Sequence, residues 1–313
     1  IIIHIRSFMN SIINEDVVRE LKDEQEINRL DDLWVRIGQA AQGSPTYEKL
    51  AHYIEKNYMQ VVFMTASEVA VKTGISQGSV SRFCIGLGYK GYNDFLHNLQ
   101  RFARKEITAP QRLQYTSNSD ETISGILKME HENMDQLLAI LHQPGYQQLV
   151  ASLVAAKHVV LVSARMSATL LSYTSYILNK IRNNVTCVTP QTSEWDTLEL
   201  FDPKDVQVLA MVFPRYPKVL LEKLEELNQK GFSIAAITDS ITSPAYRLAS
   251  PALSVPITTS SIFDIYSTPI LFLNLLLRDV ARETSGLDKR LQEIEQMDRL
   301  HNIYYEAHRG FMK

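Results

Sequence analysis

The 313-residue chain holds only two cysteines, Cys84 and Cys187. They give neither metal-ligand spacing nor a disulfide framework, so no metal and no cofactor is expected, and a reducing cytoplasm fits best. Long hydrophobic runs are also lacking. The longest, Pro269 to Leu277, is interrupted by Asn274 and falls well short of the roughly 20 residues a bilayer crossing needs, so no membrane partner is expected. The sequence opens on Ile1 rather than methionine, which leaves open a fragment, a noncanonical start or a translated upstream region. Its apolar start, Ile1 to Ile5, is far too short for a signal peptide.

An overall basic excess is lacking too. The net charge is −3, which read globally argues against nucleic acid as a partner. The charge is unevenly spread, however: −3 over residues 1–45, +4 over 46–113 and −4 over 114–313. What remains is an ordinary globular composition, 45% hydrophobic and 21% charged, in a chain long enough for about two domains.

Within the positive segment, Ala66, Val69 and Ala70 are apolar at helical spacing, Gly74 breaks the period, and Val80, Phe83, Cys84 and Leu87 resume it. This is a helix-turn-helix pattern. Gly74 suits the left-handed position that ends the first helix, Ile75 plugs the space between the helices, and Ser76 is a good N-cap for the second. The outer face of the second helix carries Gln77, Ser79, Ser81 and Arg82. Short polar side chains let a helix approach a major groove, and Gln and Arg can hydrogen-bond adenine and guanine edges, so double-stranded DNA is the natural partner. Ser76 and Lys90 join this candidate DNA-binding set, and Lys72, Arg101, Arg104, Lys105 and Arg112 offer phosphate contacts. The plain alternative is a helical hairpin with a solvated polar face.

The string from Pro45 to Phe95 resembles the N-terminal domain of the RpiR family of bacterial transcription regulators. That family has a Ser/Thr-Val-x-Arg-Phe helix followed by a Leu-Gly-Tyr/Phe-x-Gly-Tyr corner. Here the matching positions are Ser79, Val80, Ser81, Arg82 and Phe83, then Leu87, Gly88, Tyr89, Gly91 and Tyr92.

Thr46 to Asn57 and Tyr92 to Arg104 read as flanking helices, and residues 15–42 as an acidic amphipathic helix or an arm. The pattern stops from Ile107 to Asp120, where Pro110 and polar residues suggest a linker. A helical stretch over 121–141 follows. Then apolar runs at His158–Val162, Val185–Val188, Val206–Val212, Ile234–Thr238 and Leu253–Ile257 alternate with helices beginning near Ser167, Trp195 and Lys218, and an apolar helix spans Ile265–Ala281. Strands separated by such helices predict a parallel sheet with right-handed crossovers, an α/β unit behind an all-α one. The expected divisions are an extension over 1–44, a helix-turn-helix domain over 45–106, a linker over 107–120, an effector domain over 121–286 and a C-terminal helix over 287–313.

Residues 145–285 resemble the sugar isomerase (SIS) domain that follows the helix-turn-helix in the RpiR family, with Thr238, Asp239, Ser243 and Pro244 matching its Thr-Asp-x-x-x-Ser-Pro corner. The resemblance implies a five-stranded flavodoxin-like sheet whose ligand crevice lies at the carboxyl ends of strands one and three. The usual domain has a Gly-x-Gly-x-Ser loop there and then a Ser-x-Ser-Gly-x-Thr loop, which wrap a sugar phosphate. This chain departs from both: Ser163 and Arg165 stand where the glycines would be, Ser167 is kept, and the second loop holds Arg215 and Tyr216. Replacing glycine by arginine offers two forks for an anion, a phosphosugar or a sugar acid. The alternative is that both arginines are solvated or salt-bridged to Glu194, Asp196 or Asp239. Ser260 and Ser261 are further effector-binding candidates, and Trp195 and Tyr216 could close over a sugar.

Aldose–ketose isomerisation needs a base and an acid near C1 and C2. Of eight histidines none lies between His158 and His301, and Glu194 is the one candidate base. A regulator rather than an enzyme is expected, and at least a homodimer, because paired half-sites suit helix-turn-helix proteins. The runner-up is a sugar-phosphate isomerase or sugar-phosphate-binding enzyme with an appended helical domain.

Overall fold

Apolar spacing decides where each helix of the first half packs. In the computed structural model, which describes residues 30–103, 108–115, 120–259 and 262–304, five helices form the first unit. They are α1 (Leu30–Ala41), α2 (Pro45–Val61), α3 (Ala66–Thr73), α4 (Gln77–Gly86) and α5 (Tyr92–Ala103). Leu50 and Ile54 of α2, Val69 of α3, Val80 and Phe83 of α4, and Phe95 and Leu99 of α5 are buried at i, i+3 and i+4 intervals. Tyr47 meets Phe83 edge-on, with ring centroids 5.3 Å apart. The α1 helix lies within this bundle rather than in a separate extension. Its Leu33 and Ile37 are buried, and Trp34 stands edge-on to Tyr58 at 5.5 Å. The remainder of the expected arm, residues 15–29, lies outside the described residues.

The chain divides into two compact units, Ile1–Ile107 with Gln114–Thr116, and Thr108–Leu113 with Ser117–Lys313. The stretch expected as an irregular linker contains a helix, α6 (Ala109–Tyr115), in which Pro110 sits in the first turn, where its missing amide donor does no harm. The helical stretch that follows breaks at Gln136 into α7 (Asp120–Asp135) and α8 (Leu137–Leu141). Next comes α9 (Pro144–Ala155).

The sheet is all parallel. Its strands are β1 (His158–Ser163), β2 (Val185–Val188), β3 (Val206–Val212), β4 (Ser233–Thr238) and β5 (Ala252–Ser254), in the order β2-β1-β3-β4-β5. Strands covered on both faces read as continuous apolar runs rather than alternations, and every residue of β3 is buried. One face packs Leu161, Leu209, Met211 and Ile237 against α9, α10 (Thr169–Ile181) and α13 (Ser267–Glu283). The other packs Val160, Val208 and Val212 against α11 (Ser193–Thr197) and α12 (Lys218–Gln229). The last helix, α14 (Leu287–Leu300), is shorter than the expected 287–313, of which residues 305–313 lie outside the described residues. The apolar helix starts at Ser267 rather than Ile265 because Ile265 is held extended, its amide bonded to the Thr258 carbonyl at 2.9 Å. No helix among the described residues is long and apolar enough to cross a membrane.

Two arginines close helix ends. Arg182 donates to the carbonyls of Leu153 and Ala156 at the end of α9, and Arg290 donates to those of Asn179 and Lys180 at the end of α10, at 2.8 and 3.0 Å. Each guanidinium supplies donors to carbonyls that have no partner in their own helix.

On the second face, Glu199 accepts from Lys223 at 2.6 Å and also from Lys230. These two lysines hold its carboxyl down at about 2, against an ordinary value of 4.5. A depressed folded-state pKa means that the pair stabilises the fold above the ordinary carboxylate range and that this contribution disappears as pH falls towards 2. Glu199→Gln should therefore flatten the dependence of urea stability on pH between about pH 4.5 and 2 and leave its slope near neutrality unchanged.

Candidate functional site

The α3–α4 turn is fixed by its caps. At the start of α3 the Thr65 hydroxyl accepts the Glu68 amide at 3.2 Å, while the Glu68 carboxylate accepts the Thr65 amide at 2.7 Å. At the far end Gly74 takes φ 64°, and the amides of Gly74 and Ile75 return to the carbonyls of Val71 and Ala70 at 3.3 and 3.0 Å. This double closure needs a left-handed residue, hence glycine. Ser76 then caps α4, accepting the Ser79 amide at 3.2 Å.

Val80, Phe83 and Cys84 bury one side of α4, and burial, with the Asp94 carboxylate behind it, pushes the Cys84 thiol up to about 12. Gln77, Gly78 and Arg82 are exposed on the other side, with Ser79 and Ser81 half-buried beside them. The Arg82 guanidinium reaches back one turn to donate to Ser79 Oγ at 3.0 Å, and it lies over Gly78, where an added Cβ would stand 3.5 Å from Nη1. Ser79 thus acts as a bracket for the arginine in the free protein. Tyr92 pins the bundle behind α4, its hydroxyl donating to the Met64 carbonyl at 2.8 Å.

Lys90 is exposed at the corner before α5, where its amide bonds the Asp94 carboxylate at 2.9 Å. Arg101 lies on α5 but its side chain is outside the described set, as are Arg104 and Lys105 entirely. Lys49 was not among the sequence candidates. Its ammonium comes to 3.8 Å from where a Cβ would stand at Gly74, so it sits at the turn, a proximity that sequence distance hides. Arg112 is corrected: it is buried and paired with Asp264 at 2.5 Å, and so is not free to meet phosphate.

In the second unit β1 and β3 leave the sheet side by side, Ser163 being the register partner of Met211. Ser163 Oγ donates to the Met211 carbonyl at 2.7 Å, Ser167 Oγ donates to the Ala164 carbonyl at 3.0 Å, and the two hydroxyls stand 3.0 Å apart. Both serines are buried. They lace the loop ends together rather than presenting free hydroxyls to solvent.

Arg165 and Arg215 follow, exposed, with φ 61° and 64°. These are the left-handed positions that glycine would ordinarily fill. Neither guanidinium makes an ion pair or hydrogen bond among the described residues. The anticipated partner Asp239 instead accepts from the Tyr216 hydroxyl at 2.7 Å. Glu194 is exposed on α11, where it accepts from its neighbour Ser193. Trp195 is buried beneath α12, with Lys223 Nζ 5.6 Å from its ring centroid, so it packs rather than closing over a ligand. Ser260 and Ser261 lie outside the described residues.

Two family profiles match this architecture: a helix-turn-helix domain of the rpiR family over residues 35–105, and a SIS domain over 152–278. The chain has the RpiR-family arrangement, an rpiR-type helix-turn-helix domain followed by a SIS domain. Among solved structures, it is similar to the sugar isomerase domain of an RpiR transcription factor from Sphaerobacter thermophilus, with TM-score 0.51 and 23% identity over 56% of this chain and 97% of that one. It is also similar to the Vibrio vulnificus NanR protein complexed with ManNAc-6P, with TM-score 0.50 and 16% identity over 85% of this chain and 98% of that one. At these identities the likeness is one of fold. The RpiR profile begins inside α1, consistent with that helix packing in the first unit. RpiR-type chains with this helix-turn-helix are transcription factors, and this one is a DNA-binding regulator carrying a SIS domain.

The two left-handed arginines make a direct test of backbone strain. An L-residue in this conformation costs about 1–2 kcal/mol, which glycine does not incur. Arg165→Gly and Arg215→Gly should each be more stable to urea than the matching alanine variant, by about 1 kcal/mol once glycine's extra unfolded-state entropy is allowed for.

Proposed function

We propose that the chain binds a double-stranded DNA operator through α4, and that its SIS domain binds an anionic sugar-derived metabolite, a phosphosugar or sugar acid, at the carboxyl edge of β1 and β3 and thereby alters operator affinity. The observation that carries the effector half is the pair of exposed guanidiniums on the loops after β1 and β3, each on a left-handed residue and without an ion pair or hydrogen bond among the described residues. Two fixed positive charges leave an uncharged sugar with nothing to neutralise them, whereas a phosphate or carboxylate meets a guanidinium fork with two parallel hydrogen bonds. Tyr216 stands beside Arg215 in the same loop, its hydroxyl bonded to Asp239. Ser163 and Ser167 act by fixing the loop. The structurally similar NanR protein was solved with a phosphosugar, which supports the same ligand class here.

For DNA, Gln77, Ser81 and Arg82 are the base-reading side chains, with Arg82 released from its bond to Ser79 on binding. Ser76 and the α4 amino end face phosphate, and Lys90, with Arg101, Arg104 and Lys105, supplies sequence-independent contacts. Exposed apolar side chains on α13 and α14, Ile270, Leu271, Leu291, Met297 and Leu300, support pairing of two copies in the cytoplasm, matching two half-sites.

Arg82→Ala should weaken binding to a selected operator by about 1–3 kcal/mol and leave binding to random duplex nearly unchanged, whereas Lys90→Ala should weaken both alike and reduce the salt slope by about 1. Gel shifts on the two duplexes across a salt series would show this, and equal losses on both for Arg82→Ala would remove its reading role.

Calorimetry with phosphosugars, sugar acids and their neutral parents decides the effector. The anions should bind wild type, and Arg165→Ala and Arg215→Ala should each lose tenfold or more, about 1.4 kcal/mol. By linkage, the bound anion should change operator affinity by the factor through which operator changes anion affinity. Tight binding of a neutral sugar, or full anion binding by both variants, would show that the arginines are structural.

A further inference from the structure

Three side chains from the segment that leads into the SIS domain converge on the loop between β5 and α13. Arg112, on α6, donates to Asp264 Oδ1 at 2.5 Å, and the two side chains are only 6% and 8% exposed. Asn133, on α7, donates Nδ2 to Thr258 Oγ1 at 2.9 Å, with both residues buried. Glu130, one turn earlier on α7, accepts from the hydroxyls of Ser267 and Thr268 at the start of α13. The loop's base is closed by the Ile265 amide on the Thr258 carbonyl. Its two sides are therefore gripped by the same lead-in segment.

The loop is also bonded to the effector edge. Tyr216, in the loop after β3, donates to Asp239 at the end of β4; the Asp239 carbonyl accepts from Ser254 Oγ of β5 at 3.2 Å; and the next residue, Val255, returns its amide to the Thr238 carbonyl at 2.7 Å. A continuous set of bonded groups thus runs from the mouth of the sheet, through β5 and its loop, to Arg112. Buried ion pairs are poor sources of stability because desolvation offsets their attraction, yet they specify one arrangement sharply and resist partial displacement. That property suits a switch more than a core.

We propose that Arg112 is a positioning residue that couples the effector edge to the chain leading out to the DNA-binding unit, so that movement of the β5–α13 loop and movement of α6 are one event. This rests on the effector edge assigned above. The role needs no contact between Arg112 and DNA or effector. It needs only that the Arg112–Asp264 pair have two states that each site biases.

The test uses the full chain and three variants: Asp264→Asn, Arg112→Gln, and the double Arg112→Met/Asp264→Leu, which removes both charges while keeping apolar volume and fold. Hydrogen exchange should quicken over 108–115 and 255–266 together in Asp264→Asn, although Asp264 belongs only to the second segment. Affinity for a duplex selected from a random library on wild type, measured by anisotropy without any effector, should shift by about fivefold or more in the same direction in all three variants. Faster exchange confined to 255–266, or unchanged DNA affinity in the folded double variant, would overturn the proposal. Failure to select any duplex on wild type would instead count against the DNA-binding reading itself, and the exchange result would still decide whether the two segments move as one.

Discussion

A parallel sheet covered on both faces leaves almost no room for polar chemistry within it, and that constraint places everything else in the second unit. All seven residues of β3 are buried, and Val159 to Val162 of β1 are wholly so. The polar exception in β3, Gln207, is satisfied within the strands: its amide donates to the Val208 and Ser233 carbonyls, and its oxygen accepts from Ser233 Oγ at 2.9 Å. Polar groups therefore gather at the strand ends, and the two ends differ. At the amino end Lys157 pairs with Asp205 at 2.8 Å. At the carboxyl end Ser163, Thr238 and Ser243 bond inward, while Arg165 and Arg215 bond to nothing described. An end that satisfies itself is structural; two cations without a partner among the described residues are what the proposed anion site rests on.

The arginines divide along the same line. Arg182 and Arg290 lie on helix carbonyls, where the guanidinium fork closes two acceptors at once, and Arg112 is sealed against a carboxylate. In each case the surrounding backbone or charge accounts for the position of the side chain. Among the described residues no such account exists for Arg165 and Arg215, whose backbone is moreover in a conformation unfavourable for any residue but glycine. Strain of this kind persists where neighbouring structure over-determines it, and the Ser163–Met211 and Ser167–Ala164 bonds supply that determination for the first loop.

Much of this was legible in the sequence because it rested on local rules. Gly74 before Ser76 reads as a helix stop and start, since only a left-handed residue closes the first helix and a hydroxyl caps the second. The five strands were readable because unbroken Val/Ile runs alternate with helical periods, whereas the two altered loops stood out only through the resemblance to the SIS domain. What was not legible depends on tertiary partners. Ser163 and Ser167 were expected as ligand contacts, but strand register turns them onto the neighbouring carbonyl and each other. Arg112 looked like one more basic residue in a positive segment, and its partner lies 152 residues away. Residues 15–42 read as an acidic amphipathic helix or an arm, and over Leu30–Ala41 the helix is what forms, with Leu33 and Ile37 buried; which helices it packs on was not legible.

The exchange of loop glycines for arginines also bears on whether this SIS domain suits sensing or catalysis. A glycine-rich loop holds phosphate with backbone amides that are already in place, which is the preorganisation catalysis exploits. Exposed arginine side chains carry about 2 kcal/mol of rotamer entropy each, which a ligand must overcome to order them. Affinity is lowered by that requirement, but the free and bound states of the loops become more different. A difference between states is what a sensor needs, because a ligand shifts an equilibrium only by as much as its affinities for the two states differ. An enzyme gains nothing from ordering its phosphate grip anew at each turnover, whereas a regulator can pass that ordering on through whatever the loops touch. Exposed arginines on a left-handed backbone thus fit a domain whose output is conformational.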